Sequence, residues 1–325
     1  MDAVLREPDL KDVVRAQRRI AAHLPRTPLY RNDQLSALLE TDVFVKHENH
    51  LPTGAFKVRG GVNLVGQLSD AERRSGVVTA STGNHGQSIA FAAREFGVPA
   101  TVYVPEGANP VKVTAIRTLG AEIVVFGHDF DDARIECERV GRETGRRYIH
   151  SGNEPLLIAG VGTAALEMLE AQPDIDVILV PIGGGSGAAG ACIVAKAMRP
   201  AIRVIGVQSE AAPAAYRSWK AHELLEDQMR TAAEGLATRT AFALPQQIMQ
   251  RLLDDFILVN DDELRSATLT MIEATRSLVE LAAAAPLAGA LRMRHQLQGA
   301  RVALICSGAN ISREQLAALL QNADN

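Results

Sequence analysis

Thr53-Gly54-Ala55-Phe56-Lys57-Val58-Arg59-Gly60 carries the strongest chemical signal in this chain. Its lysine, Lys57, lies between an aromatic residue and a glycine-flanked turn. A lysine amine is a poor nucleophile at its ordinary pKa of about 10.4. Burial beside apolar neighbours lowers that pKa, because the charged form loses its hydration, and such a lysine can form a Schiff base with an aldehyde cofactor. Taken alone, the stretch more often marks a solvated turn lysine, so the chemical interpretation needs support from elsewhere.

A second stretch, Pro181-Ile182-Gly183-Gly184-Gly185-Ser186-Gly187, follows a predicted strand and opens a predicted helix. Glycines leave backbone N–H groups free to point at an anion, and a helix N-terminus adds partial positive charge. The loop therefore predicts a phosphate cradle, with a tight strand-to-helix turn as the alternative. It is not a Walker loop, because no Lys-Ser/Thr follows, and Gln208 stands where a dinucleotide site expects an acidic residue.

A third stretch is Ser81-Thr82-Gly83-Asn84-His85-Gly86-Gln87. Together the three stretches resemble the fold-type II family of pyridoxal-phosphate enzymes, most closely its serine/threonine dehydratase and serine racemase branch. The resemblance runs from about residue 5 to about residue 315. It implies pyridoxal 5'-phosphate as cofactor and an α/β fold of two three-layer αβα domains with mostly parallel sheets.

The resemblance also assigns cofactor contacts. Lys57 matches the Schiff-base lysine, Phe56 the residue packed against the ring, and Asn84 the donor to the ring hydroxyl. Ser307 matches the residue facing the pyridine nitrogen, although alone it fits a strand-end turn. A neutral hydroxyl there stabilises a full carbanion less than an aspartate would, which favours loss of a β-leaving group. The remaining predicted contacts are Gly183, Gly184, Gly185, Ser186 and Gly187 for the phosphate, with Gly235 and Glu280 near the ring.

The same resemblance predicts substrate contacts. Ser81, Asn84 and His85 should meet the substrate carboxylate, together with Thr82, although His85 alone is more often a structural histidine. Thr82 stands where racemases of the family carry the serine that protonates the opposite face, so it is the second candidate catalytic residue beside Lys57. Arg134 aligns with an arginine that some relatives place near a substrate side-chain carboxylate, and it fits a solvated helix arginine equally well.

Departures from the family pattern refine these expectations. Ala55 replaces a serine found in many relatives. Serine racemase-like relatives bind a divalent cation at a site that needs oxygen ligands such as carboxylates. The residues that cover this place here are non-acidic: Gln208, Ala212 and Ala214. No metal is therefore predicted. The segment at residues 231–238 carries Glu234 in place of an aspartate, and its Glu-Gly-Leu-Ala-Thr version resembles a subgroup linked to hydroxyectoine utilisation.

The predicted function is a dehydratase that removes the β-hydroxyl of a hydroxy amino acid, of the threonine, serine or 3-hydroxyaspartate type, giving a 2-oxo acid and ammonium. Lys57 would act as the general base. Three alternatives stay open. They are a serine racemase-type racemase or epimerase, a β-replacement synthase of the cysteine-synthase kind, and a non-enzymatic protein that buffers the cofactor or senses a ligand.

Composition narrows the class of protein. The chain has 325 residues, 47% of them hydrophobic and 22% charged, with a net charge of −4. The basic residues are spread out, which argues against nucleic acid. The early charges argue against a signal peptide, and the apolar run at residues 281–291 is too short to span a membrane. Cys137, Cys192 and Cys306 lack metal-ligand spacing and predict a reducing, cytoplasmic setting. A homodimer is the family expectation.

Alternation of strand and helix patterns predicts the domain organisation. Predicted strands span residues 42–47, 76–80, 100–104, 122–126, 177–181, 203–208, 256–259 and 301–306, and predicted helices span 10–24, 58–68, 87–96, 111–119 and 130–143. Such alternation is typical of parallel sheets joined by right-handed crossovers. We expect a small inserted domain at residues 76–150 and a large domain of residues 1–75 and 151–325, with a ligand in the cleft between them.

Overall fold

Two β-sheets form the framework of the computed structural model, which describes residues 6–321. Its strands are β1 (Leu29–Arg31), β2 (Asp42–His47), β3 (Val77–Ala80), β4 (Ala100–Val104), β5 (Glu122–Val125), β6 (Arg147–Tyr148), β7 (Val177–Pro181), β8 (Arg203–Ser209), β9 (Asp255–Val259) and β10 (Arg301–Cys306). One sheet has the order β1-β2-β10-β7-β8-β9 and the other β5-β4-β3-β6. Strand β1 pairs antiparallel with β2, and the other pairings are parallel, so the predicted fold class is confirmed.

Helices cover both sheets. They are α1 (Leu10–Ile20), α2 (Asp33–Leu39), α3 (Lys57–Val65), α4 (Asp70–Ser75), α5 (Asn84–Phe96), α6 (Pro110–Thr118), α7 (Phe130–Thr144), α8 (Pro155–Ala171), α9 (Ser186–Met198), α10 (Ala214–Ala221), α11 (Ala243–Leu252), α12 (Asp261–Thr275), α13 (Leu281–Arg292) and α14 (Arg313–Gln321). Short 3-10 turns lie at Glu48–His50, Glu234–Leu236 and Arg294–Gln296.

The central strands of the larger sheet are buried on both faces. In β7, the run from Val177 to Val180 is almost wholly inaccessible, as expected for an apolar parallel strand between two helix layers. One core joins side chains of α1, α3, α8 and α9 to the sheet, and a second joins α2, α12 and α13 to its other face. Because β7 and β10 lie at the centre, the loops that follow them open at one edge of the sheet.

The smaller sheet repeats this layering. Helix α7 packs on one face through Ala133 and Cys137, and α5 and α6 pack on the other through Ala90 and Ile116. Its strands come from residues within the predicted inserted domain, while the strands of the larger sheet come from either side of it. The boundaries proposed at residues 76 and 150 themselves stay a prediction.

A buried network of four charges holds α3 in place. Arg59 Nε donates to Glu48 Oε2 at 2.6 Å, and Arg59 Nη1 donates to Glu167 Oε1 at 2.8 Å. Lys46 Nζ donates to Glu167 Oε2 at 2.7 Å. Two cations and two anions balance, which is the condition under which charges are tolerated in a protein interior. The network fixes the helix whose first residue is Lys57.

Four strand predictions, for β2, β4, β7 and β10, have the observed bounds. The predicted start of α5 at residue 87 is wrong, because the helix begins at Asn84, directly after Gly83. The helix predicted over residues 10–24 ends at Ile20, and turns follow it. Strands β1 and β6 were not predicted, since two or three residues are too few for a periodic pattern.

Three cysteines, Cys137, Cys192 and Cys306, are free thiols buried in the fold. Burial raises the pKa of the Cys137 thiol to about 12, and it also raises the pKa values of the other two. Their thiolate forms are therefore scarce at neutral pH. Within residues 6–321, no helix combines the length and apolar character that crossing a membrane requires.

Candidate active site

The Lys57 amine lies at the start of α3 and points at the loop of residues 183–187, which we call the glycine loop. Its Nζ donates to Ser186 Oγ at 3.0 Å and to the Ser151 carbonyl at 3.2 Å. The Phe56 ring centroid is 5.5 Å from the same nitrogen. Burial lowers the pKa of Lys57 to about 8, because the ammonium form loses hydration that these neutral partners replace only in part. The lysine is not a solvated turn residue.

The glycine loop is too crowded for side chains. A Cβ on Gly183 would lie 2.3 Å from the Gly235 carbonyl oxygen, and one on Gly184 would lie 2.1 Å from the Phe242 ring. Gly185 has a φ of +87°, which disfavours any residue with a Cβ. The loop ends at Ser186, where the N-terminus of the 13-residue helix α9 begins. Backbone N–H groups and a helix N-terminus at one place suit a phosphate group.

Asn84 is held by two partners from the far end of the chain. Its Nδ2 donates to Glu280 Oε1 at 2.8 Å, and its Oδ1 accepts from Asn310 Nδ2 at 2.7 Å. Burial raises the pKa of the Glu280 carboxyl, against the lowering effects of Lys112 and Asn84. The structure therefore brings Asn84 and Glu280, both predicted near the cofactor ring, into direct contact.

Ser307 follows the end of β10 and lies against the segment at residues 53–56, which precedes Lys57. Its carbonyl accepts from the Phe56 backbone N–H at 3.0 Å, and the following Gly308 pairs with Ala55 as an isolated bridge. A Cβ on Gly308 would lie 2.5 Å from Glu280 Oε1. Close backbone contact between the two loops thus places Ser307 in the same site as Lys57, and the residue is 4% exposed.

The loop before α5 is ordered by its own hydroxyl. Ser81 Oγ accepts from the backbone N–H groups of Gly83 at 3.2 Å and of Gly86 at 3.0 Å. Thr82 is half-buried in this loop, and a Cβ on Gly83 would meet no atom within 4 Å. There is consequently free space beside the loop at the N-terminus of α5, where the substrate carboxylate is predicted to bind.

His85 is a buried, neutral imidazole. Its Nε2 lies 2.9 Å from Thr79 Oγ1, and the Thr79 hydroxyl donates to the Ile149 carbonyl, so Nε2 carries the proton. Burial, followed by the nearby Lys57 charge, lowers the pKa of His85 to about 3. The structural interpretation of this side chain therefore has direct support, and its predicted substrate contact stays a prediction.

Arg134 is already paired on α7. Its Nη1 donates to Glu138 Oε1 at 2.8 Å, and longer contacts join it to Asp131. Near this pair, burial lowers the pKa of His150 to about 4. With two carboxylates beside it, the guanidinium has less capacity to attract the carboxylate of a substrate side chain.

The segment at residues 231–238 packs over the glycine loop. Gly235 places its carbonyl against Gly183, and Thr238 Oγ1 donates to the Gly183 carbonyl at 3.4 Å. Glu234 forms an ion pair with Lys112 of α6 and accepts from Gln315 Nε2 at 2.9 Å. This segment thereby links the helix layer of the smaller sheet to the glycine loop of the larger one.

The predicted absence of a metal stays a prediction. Gln208 is fully buried, and its Oε1 accepts from the Tyr216 backbone N–H at 3.0 Å. In the part of the chain that the structure describes, no three His, Cys, Asp or Glu side chains are grouped as metal ligands.

Sequence reasoning missed three residues of this site. Ser151 contributes a backbone carbonyl to Lys57, and Phe242 packs its ring against Gly184 and edge-on against His150 at a centroid distance of 4.7 Å. Asn310 stands three positions after Ser307, and no role was predicted for it from the sequence. Ser151 and Phe242 lie in loops without periodic pattern, so only the tertiary structure reveals them.

Comparison with known proteins identifies the family. The profile of the pyridoxal-phosphate dependent enzymes matches residues 20–308. The chain belongs to this family. Its pyridoxal-phosphate cofactor, predicted from the motifs, is thereby confirmed.

Individual relatives span most of the chain. The L-threonine ammonia-lyase of Thermotoga maritima is 37% identical over 305 residues, covering 93% of this chain and 75% of that protein. The catabolic L-threonine dehydratase of Escherichia coli K12 is 35% identical and covers 93% of each chain. The structure of maize serine racemase superposes with a TM-score of 0.91 at 32% identity, covering 98% of both chains. The predicted enzyme class, a pyridoxal-phosphate-dependent lyase, is confirmed.

The residues present fit this cofactor. The glycines at 183, 184 and 185 exclude side chains and leave their backbone N–H groups uncovered by Cβ atoms, as a phosphate site requires, and the Lys57 amine lies within hydrogen-bond distance of Ser186 in the same loop. Asn84 offers an amide donor, and Asn310 connects Asn84 to the Thr53 carbonyl in the segment before Lys57. The individual contacts assigned to the ring and the phosphate stay predictions.

Proposed function

We propose that this enzyme removes the β-hydroxyl of threonine or serine and releases a 2-oxo acid and ammonium. The observation that carries the proposal is the Lys57 amine, buried, with a pKa lowered to about 8, and 3.0 Å from Ser186 of the glycine loop. A small molecule with an aldehyde at one end and a phosphate at the other can contact both groups. The threonine ammonia-lyase and threonine dehydratase names of the relatives support the substrate class.

The chemistry divides between the cofactor and the chain. When bound, pyridoxal phosphate supplies an electron sink for the α-carbon. Lys57 takes the α-proton as general base, which its lowered pKa favours because the uncharged amine is populated near neutral pH. The backbone N–H groups at the start of α5 orient the substrate carboxylate. Loss of the β-hydroxyl as water leaves an enamine, and water then hydrolyses the released enamine to the 2-oxo acid and ammonium.

The ion pairs of Arg134 indicate which kind of substrate side chain fits the site. A 3-hydroxyaspartate brings a second carboxylate, which needs an unpaired cation. Arg134 already contacts Glu138 at 2.8 Å and Asp131 at 3.4 Å. A small uncharged side chain, as in threonine or serine, therefore fits better than an acidic one.

The test is a substrate screen with purified enzyme loaded with pyridoxal phosphate. We expect 2-oxo acid and ammonia from L-threonine and L-serine, and slower release from threo-3-hydroxyaspartate and from breakdown products of hydroxyectoine. Lys57→Ala should lower turnover by about 10²–10⁴-fold. Lys220→Ala, at an exposed lysine of α10, is the matched control. Full turnover in Lys57→Ala, or no turnover with any β-hydroxy amino acid, contradicts the proposal, and the second result favours a cofactor-buffering or ligand-sensing role.

Racemisation is the second candidate, because the chain resembles maize serine racemase over 98% of its length. It needs an acid on the face opposite Lys57, and the half-buried Thr82 is the candidate. If Thr82 supplies that acid, Thr82→Ala abolishes formation of D-serine and spares elimination, while Thr82→Ser retains both. Formation of an exchanged product with a thiol nucleophile would instead favour the β-replacement alternative.

Two further expectations accompany the proposal. A homodimer is expected, and light scattering of the purified protein at several concentrations measures it. A cytoplasmic setting is expected from the three free cysteines, and fractionation of the native cells measures that.

A further inference from the structure

Asn310 has both of its amide hydrogens committed. Its Nδ2 donates to the Thr53 carbonyl at 2.9 Å and to Asn84 Oδ1 at 2.7 Å. Its side chain also fills the space above Gly54, where a Cβ would lie 3.0 Å from Asn310 Oδ1. This one residue therefore connects the segment before Lys57, the first residue of α5 and the segment after β10.

These contacts fix which way the Asn84 amide faces. Asn84 Oδ1 accepts from Asn310, and Asn84 Nδ2 donates one hydrogen to Glu280 Oε1 at 2.8 Å. A flipped amide would bring two NH₂ groups together on one side and two oxygens together on the other. The second hydrogen on Asn84 Nδ2 is the donor that this arrangement leaves available to a ligand.

We propose that Asn310 is a positioning residue, which holds the Asn84 amide so that one N–H faces the oxygen substituent of the cofactor ring. Asn310 does not itself touch the ring. The inference rests on the assignment of Asn84 to that ring oxygen, and it does not require that the substrate be threonine or serine.

The test is Asn310→Asp, which keeps the shape and replaces the NH₂ donor with a carboxylate. The carboxylate repels the Thr53 carbonyl and Asn84 Oδ1, so the Asn84 amide turns and presents its oxygen to the ring. We expect the dissociation constant of pyridoxal phosphate, measured by fluorescence titration of the apoenzyme, to rise about tenfold. We also expect the visible band of the bound cofactor to titrate at higher pH, because the ionised ring oxygen has lost a donor.

A double-mutant cycle separates positioning from general damage. In an Asn84→Ala background, Asn310→Asp should leave the band and the dissociation constant unchanged, because the residue through which it acts is gone. Asn63→Asp is the matched control, since Asn63 is a buried asparagine whose Nδ2 donates to the Leu156 carbonyl at 2.7 Å, and it should not move the band.

Three outcomes overturn the inference. Additive effects of the two substitutions show that Asn310 acts by another route, and so does a band that Asn310→Asp leaves unchanged while Asn84→Ala shifts it. A band that Asn84→Ala leaves unchanged removes the contact on which the inference rests. None of these readouts uses turnover, so a wrong substrate assignment would appear in the screen above and leave this result intact.

Discussion

Lys57 Nζ and Ser186 Oγ lie 3.0 Å apart, although 129 positions separate the two residues in the sequence. The contact joins the amine at the start of α3 to the loop at the start of α9. Two helix N-termini meet there, so the site concentrates partial positive charge where an anion is expected. The amine itself is buried at this junction, and that burial lowers its pKa.

The pKa of Lys57 can be measured by its reactivity. Only the uncharged amine is acylated, and a pKa lowered to about 8 from 10.5 means that this form predominates above about pH 8. We expect the acylation rate of Lys57 in the apoenzyme, followed by mass spectrometry across pH, to reach half its maximum near pH 8. The exposed Lys220 in the same sample is the internal control for acylation. Identical pH profiles for the two lysines would contradict the burial argument.

Gly184→Ala tests the glycine cradle. The new Cβ would lie 2.1 Å from the Phe242 ring, so the ring or the loop must move. Overpacking of this kind costs about 1–3 kcal/mol, and we expect the dissociation constant of pyridoxal phosphate to rise about five- to hundredfold. In a Phe242→Ala background the clash is absent, and the same substitution should have a much smaller effect. Equal effects in both backgrounds would show that the ring is not the obstacle.

Glu167→Gln tests the buried charge network. The substitution leaves Arg59 and Lys46 with one carboxylate between them in the interior. Breaking a buried pair in this way costs about 3–5 kcal/mol, and we expect that loss in the free energy of unfolding measured with urea. Glu143→Gln, which removes an exposed partner of Arg139, should change stability little. A similar loss in both variants would mean that burial is not what gives the network its effect.

Glu234→Gln tests the link between the two sheets. Glu234 pairs with Lys112 of α6 while its neighbour Gly235 contacts the glycine loop. A partly exposed ion pair contributes about 1 kcal/mol or less, so pyridoxal phosphate should dissociate about two- to fivefold faster and with a weaker dependence on salt. Glu273→Gln, at an exposed glutamate of α12, is the control. If the rate at which pyridoxal phosphate dissociates from the wild type did not depend on salt concentration, the proposed role of the ion pair would be contradicted.

Much of the fold could be predicted because the larger sheet is buried on both faces. Strand β7 is a continuous apolar run, and β10 is one after its first residue, Arg301, so the apolar composition indicates both strands. The start of α5 could not be predicted, because no side chain caps it and its first turn is polar. There the Ser81 hydroxyl, through contacts with Gly83 and Gly86, orders the loop that precedes the helix.

The candidate site could be predicted only where a motif marks it. Lys57, Asn84 and the glycine loop stand in recognisable stretches, and the structure brings them together. Phe242 lies in no recognisable motif. Because its segment is irregular, no periodic pattern predicts that its ring contacts the glycine loop. The carboxylates beside Arg134 stand at helical spacing on α7, three residues before it and four after it, so the sequence carried their signal although no role was predicted for them.

The inaccessible thiols give this enzyme a practical property. A maleimide reagent needs an exposed thiolate, and Cys137, Cys192 and Cys306 offer none in the native state. Single cysteines introduced on the outer surfaces of α7 and α12 would therefore take up fluorophores without background labelling. The distance between two such dyes would report, in real time, whether the smaller sheet moves toward the larger one as an amino acid arrives.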